Sequence, residues 1–256
     1  MAEQQEQIQT LERGSIYFFY RPRVEEEDPD SVEDVERMYM VLSPAQKDRY
    51  RLAVIGRKQL PDPSRSGRDK FWGFVSTVRK DPKNIDRELQ GETYTTKTRG
   101  TRHLPAARPL GEGVYRILRH EDHTHFVYAL ELPHDTGDVQ EEFRLEEEAS
   151  YVISIKNPQK GSPQAAGLSK DQQAEFPKAL QEVFRGRRFA DANPPEFLDR
   201  QGTEFLLIAA SGDVKEELGI TLHPEREEAS SADIFKDLKM DRHQHPVEPL
   251  FEGEWA

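Results

Sequence analysis

The chain has 256 residues, no cysteine, and 48 acidic against 36 basic side chains, a formal charge of −12. Thiol catalysis, disulfides, thiolate zinc sites and iron–sulfur clusters are thereby excluded, and no apolar run approaches the ~20 residues that span a bilayer. The charge repels nucleic acid on average, so any anion site has to be a local basic patch.

Residues 1–13 are polar and predict an N-terminal tail. Met1 to Thr10 carry neither a basic nor an apolar segment, so no signal peptide is visible and the expected compartment is the cytoplasm. Ile16-Tyr17-Phe18-Phe19-Tyr20 predicts a strand stopped by Pro22. Residues 25–36 form an acidic loop or short helix. Met38 to Leu42 and Tyr50 to Ile55 predict paired strands with a turn near Ser43-Pro44. Phe71 to Val78 fits either a helix or a strand. Asp81-Pro82 starts a short helix over 82–90, with Gly91 just past its end. Val114 to Arg119 and Thr124 to Leu132 form the clearest hairpin, with Phe126, Tyr128, Leu130 and Leu132 on one face. Ser150 to Ile155 is a further strand. Ser169 caps a predicted helix to Phe184, Glu204 to Ala210 is a buried strand, and Ala232 to Met240 holds a short helical pattern. Strands first and helices late predict an α+β fold, a mainly antiparallel sheet with a few short helices packed on it. The expected units are the tail 1–13, one domain over 14–222 and a C-terminal tail over 223–256, partly disordered or docked.

Chemistry-bearing residues gather in four places. Thr93 to Gly111 contains no acid across 19 residues and holds Lys97, Arg99, Arg102, His103 and Arg108 on glycine- and proline-containing, irregular backbone. Arginine forks and exposed backbone N–H groups there suit phosphate or carboxylate, and arginine outnumbers lysine 23 to 13 in the chain. The alternative is that these cations neutralise surplus carboxylates. His123 and His125, two apart on a strand, have a metal-ligand spacing for a divalent ion, with Glu131, Glu141 or Glu142 as base or further ligand. The alternatives are a solvated turn or a hydrogen-bonding role. Arg187 and Arg188, in Arg185-Gly186-Arg187-Arg188, would add to an anion site or complement a helix C-terminus. His243-Gln244-His245 in the tail suits solvent better than a ligand role, and the aromatics of the final segment suggest docking back onto the domain. No nucleophile elbow, zincin motif, Walker loop or dinucleotide fingerprint is present.

IYFFYRPRV (16–24), FWGFV (71–75), YTTKTRGTRHLPAARPLGEG (94–113), HTHFVY (123–128), Val139-Gln140-Glu141, SIKNP (154–158), FRGRRF (184–189) and EFLLIA (204–209) together resemble an uncharacterised family of bacterial and fungal proteins. Some fungal members carry the label "BTB domain transcription factor", although a BTB module is mostly helical and this chain is strand-rich. The resemblance implies one shared domain that has the basic stretch, the His-Thr-His turn and the Arg-Gly-Arg-Arg segment among its motifs. It implies no particular reaction.

The expected function is a binding or regulatory domain for a phosphate- or carboxylate-bearing small molecule, held by Lys97, Arg99, Arg102, Arg108 and His103, and by Arg187 and Arg188 if the fold brings them near. A divalent-metal hydrolase using His123 and His125 is the rival. A nucleic-acid regulator is third and is opposed by the net charge. No membrane partner is expected.

Overall fold

β1 (Gln9–Pro22) explains how the chain builds its core. Ile16, Phe18 and Tyr20 enter one buried cluster, while Tyr17 and Phe19 enter another on the opposite face. A strand covered on both faces reads as a continuous apolar run. The computed structural model describes residues 8–161, 167–224 and 232–256. Residues 1–7 of the expected N-terminal tail and 225–231, near the start of the expected C-terminal tail, lie outside the described residues.

β1 pairs antiparallel with β2 (Val35–Pro44), β2 with β3 (Tyr50–Ile55), and β3 with β4 (Lys70–Arg79). On its other edge β1 pairs with β7 (Arg108–His120), β7 with β8 (His123–Leu132), and β8 with β9 (Glu148–Lys156). β11 (Glu204–Ser211) then joins β9 to β4 and closes a barrel of eight antiparallel strands. β10 (Phe189–Asp191) extends the β9 edge at Ser154–Lys156, beyond the stretch that β8 occupies. β5 (Glu92–Thr96) and β6 (Gly100–Leu104) form a separate hairpin outside the barrel.

This corrects the predicted α+β sheet with packed helices: the sheet closes on itself. The helices are α1 (Lys83–Leu89), α2 (Asp138–Phe143), α3 (Lys178–Val183), α4 (Val214–Leu218), α5 (Asp233–Asp237) and α6 (Glu248–Phe251). None of these exceeds seven residues, too little to cover a sheet face. Eight strands enclose a space that side chains can fill, and here Phe18, Tyr115, Phe126, Tyr128, Tyr151 and Phe205 fill it. Phe18 and Tyr128 meet edge to face with ring centres 5.2 Å apart.

Three local expectations also change. The helix from Ser169 shrinks to α3, because Pro177 cannot sit inside a helix and stands at its N-cap. Phe71 to Val78 is β4. The basic stretch is the β5–β6 hairpin and the start of β7 rather than irregular backbone. In addition, β1 begins at Gln9, inside the expected tail, and buries Glu12.

The barrel has two mouths. One, the tail mouth, lies at Tyr20, Arg108 and Leu132. The other, the His-turn mouth, lies at Gln9, His120 and His123. β7, with its 13 residues, runs ~40 Å between them. The tail mouth is covered by α2 and by Trp255, whose ring sits 5.3 Å from that of Tyr20 and 5.6 Å from that of Phe143. Residues 232–256 also cover the outer wall through Ile234, Leu238, Met240 and Leu250. Buried polar groups hold them there. The Glu112 carboxylate accepts from Asp233 N at 3.1 Å and Ile234 N at 2.7 Å. Gln140 Nε2 donates to Pro249 O at 2.6 Å, and His245 Nδ1 bonds Ala107 O at 2.6 Å. The expected solvated His245 is therefore a buried pin, and His243 is exposed.

The His-turn mouth is closed by Phe176, Phe184 and Phe197, mutually packed at 5.1–5.8 Å. Beneath them lies an ionic cluster. Arg51, 1% exposed, bonds both oxygens of Glu12 and reaches Asp199 Oδ1 at 2.6 Å. Tyr115 Oη donates to Glu12 Oε1 at 2.9 Å, and Lys47 and Arg49 complete the cluster from the rim.

Candidate functional site

The basic stretch divides into three environments. Lys97 and Arg99 stand at the exposed tip of the β5–β6 hairpin. Behind the tip, the acidic loop after β1 engages the next cations: Arg102 Nε lies 3.4 Å from Glu25 Oε1, and His103 Nε2 3.7 Å from Glu27 Oε1. The backbone N–H of His103 also donates to the Glu25 carboxylate. Arg108 is buried at the tail mouth, where its Nη2 donates to Glu27 O at 2.7 Å. These five residues do not line one cavity. Arg187 and Arg188 are not brought to them, because both follow α3 at the other mouth.

A different convergence occurs there. Arg119 ends β7, Glu121, Asp122 and His123 make the turn into β8, and Arg185 and Arg187 come from the segment after α3. Together with Thr124, Glu182, Asp191 and Asn193 they line a cleft of about 440 Å³. The convergence has a local cause. Gly186 and Arg185 take positive φ values of 75° and 47°, which ends α3 and turns the chain back toward β10. Asn157 then fixes that return, with its Nδ2 donating to Arg187 O at 2.9 Å and its N–H to Arg188 O at 2.8 Å. Thr124, buried beneath the cleft, donates to Ile153 O and accepts from Ala192 N, tying β8, β9 and the chain after β10 together.

Within this cleft the cations are not neutralised pairwise. Among the described residues the Arg119 and Arg185 side chains have no hydrogen-bond or ion-pair partner, and the Arg187 side chain meets only Phe184 O, at 3.4 Å. Arg188 is exposed beside them. Four carboxylates, from Glu121, Asp122, Glu182 and Asp191, share the lining. The cleft therefore offers guanidinium donors for an anionic group and carboxylate acceptors for hydroxyl or amino groups. Its volume falls in the ordinary range for small-molecule sites.

His123 and His125 have unequal roles. His123 is exposed on the cleft rim. His125 is 6% exposed and shares a hydrogen bond with Ser150 Oγ at 3.1 Å. Burial, aided by the charges of His120 and His123, lowers its pKa from 6.5 to about 4. Glu217 Oε1 stands 3.8 Å from His125 Nδ1, but a ring whose pKa is lowered to about 4 is uncharged at neutral pH, so the contact is not an ion pair there. Glu131 lies six residues along β8 from His125, ~20 Å away, and Glu141 and Glu142 sit on α2 at the tail mouth. No group of three or more His, Asp or Glu side chains among the described residues could hold a metal ion.

The lowered His125 pKa predicts a pH effect. The unfolded state binds more protons between pH 6.5 and about 4, so the stability that the neutral ring contributes is complete above 6.5 and declines toward 4. Urea midpoints of the intact chain should fall across that window. A His125→Gln chain should show a shallower fall, and an equal slope would refute the assignment.

Sequence reasoning missed Arg119 and Arg185 as members of the cleft. Arg119 precedes the His turn directly and Arg185 opens the Arg-Gly-Arg-Arg segment, so both were legible as neighbours of motifs already noted. Also missed was the fully enclosed pair Lys156 Nζ–Glu204 Oε2, at 2.9 Å, which a strand of otherwise apolar residues does not announce. No protein-family model, curated protein or solved structure matches this chain. No helix among the described residues is long and apolar enough to cross a membrane.

Proposed function

We propose that this protein is a cytoplasmic binding or regulatory domain whose ligand is a small molecule carrying a phosphate or carboxylate together with hydroxyl or amino groups. The ligand sits in the cleft at the His-turn mouth. One observation carries the reading: Arg119, Arg185 and Arg187 reach a single cleft from two separate chain segments, and none of them is clasped by a carboxylate among the described residues. Arg185 and Arg187 take the anionic group. Glu182 and Asp191 accept from the hydroxyl or amino groups, which makes a bare anion the weaker ligand. His123 offers its ring nitrogens to the ligand at the rim.

Calorimetric titration with inorganic phosphate, a hexose phosphate and a nucleoside monophosphate, each at low and high salt, tests the proposal. Saturable binding is expected for at least one organic phosphate, weakening as salt rises. A charge-assisted hydrogen bond contributes about 1.5–3 kcal/mol, so Arg185→Ala with Arg187→Ala should weaken binding at least ~100-fold. Both side chains are exposed, so fold stability should be unchanged. No saturable heat with any of the three ligands, or undiminished affinity in the double variant, would overturn it.

A further inference from the structure

Among the described residues three arginines are buried, and two of them are fully engaged. Arg51 is held by Glu12 and Asp199. Arg21 donates to Tyr39 Oη, Gln90 O, Pro105 O and Glu88 O, and so clamps the C-terminal end of α1. Arg108 differs. It is 3% exposed, its Nη2 is bonded to Glu27 O, and its Nε and Nη1 are buried without a hydrogen-bond partner. No carboxylate among the described residues lies within 4.0 Å of the guanidinium. The Tyr20 ring, 5.9 Å away, faces it as a cation–π partner. Glu27, Asp28 and Glu248 act on this charge only from beyond contact distance, so two buried donors of the guanidinium face no acceptor, a costly arrangement that the fold avoids at its other two buried arginines.

We propose that Arg108 is the centre of a second anion site, at the tail mouth, that takes a small oxyanion (phosphate, sulfate or a carboxylate) beneath Trp255. The site is separate from the cleft at the His-turn mouth, ~40 Å away along β7, and goes beyond the function proposed above. Its donors are Arg108 Nε and Nη1. The carboxylates of Glu27 and Asp28 in the acidic loop and of Glu248 on α6 lie near enough to act on Arg108, so they disfavour highly charged ligands. Trp255 is the cover. Residues 249–253 are anchored by the Gln140 bond to Pro249 O and by Val139 N donating to Gly253 O at 3.3 Å. Trp255 beyond them is held by ring contacts with Tyr20 and Phe143 alone among the aromatic residues. Displacing its indole opens the way to Arg108 without undoing that anchor.

The chain has two tryptophans, so a Trp72→Phe background makes Trp255 the sole indole reporter. Phosphate, sulfate and acetate are each titrated against chloride at constant ionic strength, and Trp255 emission and the thermal midpoint are read. At least one oxyanion is expected to give a saturable emission change and a raised midpoint. Arg108→Met should abolish both responses and, without oxyanion, melt no lower than the parent, since it removes an unpaired buried charge. Arg108→Lys, which keeps the charge on a shorter donor set, should weaken the response about tenfold; it serves as the decisive variant if the Met substitution impairs folding. Arg185→Ala with Arg187→Ala should leave the response intact, which separates this site from the cleft. No saturable response beyond chloride, a response surviving in Arg108→Met, or one lost in the double variant would overturn the proposal.

Discussion

Arg51→Ala is expected to cost about 3–5 kcal/mol of stability in urea unfolding, because it strands the Glu12 and Asp199 carboxylates in a closed mouth. The side chain is 1% exposed, and Glu12 and Asp199 are 5% and 8% exposed. Lys47 and Arg49 approach the same acids from the rim, so the loss should fall at the lower end of that range. Acid should produce a related effect. Burial alone would raise the Glu12 pKa, but Arg51, Lys47 and the Tyr115 hydroxyl outweigh it and hold the group below its usual 4.5. A carboxyl lowered in the folded state stabilises fully above the unfolded value and loses that contribution as pH falls through the folded one. The acid limb of the stability curve below pH 4.5 should therefore be shallower in Glu12→Gln. Wild-type stability retained in Arg51→Ala would mean that the cluster does not hold the mouth.

Gly113→Ala should destabilise by about 3 kcal/mol, the upper part of the range for overpacking. Gly113 pairs with Ile16 on β1 and Leu130 on β8, beside a register shift in β7. A Cβ there would press on the Ala129 carbonyl and come within 2.8 Å of Leu130 Cα. Both are backbone, so nothing can rotate aside, and β8 would have to move from β7 where the barrel coils tightly. Gly212→Ala is the matched control. Its Cβ would meet only Pro63 Cβ, at 3.8 Å, and the change should stay within about 0.5 kcal/mol. Equal effects at the two positions would show that the close approach at Gly113 is not a constraint.

Local structure was more legible than its partners. Alternation placed Phe126, Tyr128 and Leu130 on one face, and they do share the barrel interior. Leu132 departs to the outer cluster, beyond the register shift opposite Glu112. Asp81 accepts from Lys83 N at 3.0 Å at the start of α1, but it stands one residue ahead of the N-cap, which is Pro82 rather than the expected Asp81. Closure was not legible. Periodicity tells which face a residue takes, and nothing in it says that Val152 will meet His125 or that Phe205 will meet Gly73. The late helical patterns drew the reading toward packed helices, whereas Pro177 limits the longest of them to α3. The site divided in the same way. An acid-free stretch shows where cations lie in sequence, but Glu25 and Glu27 reach Arg102 and His103 from 77 and 76 positions away. The convergence of His123 with Arg187 depends on β10 following β9, a pairing made only in three dimensions.

Amide chemical-shift mapping of the uniformly labelled chain, titrated with a hexose phosphate, would locate ligand contact without presuming its residues. Shifts should concentrate at His123, Thr124, Arg185, Gly186, Arg187 and Asn193, saturate together, and vanish in the Arg185→Ala, Arg187→Ala chain. Shifts confined to Lys97, Arg99 and their hairpin, or scattered without saturation, would show that the cleft is not where this protein holds its ligand.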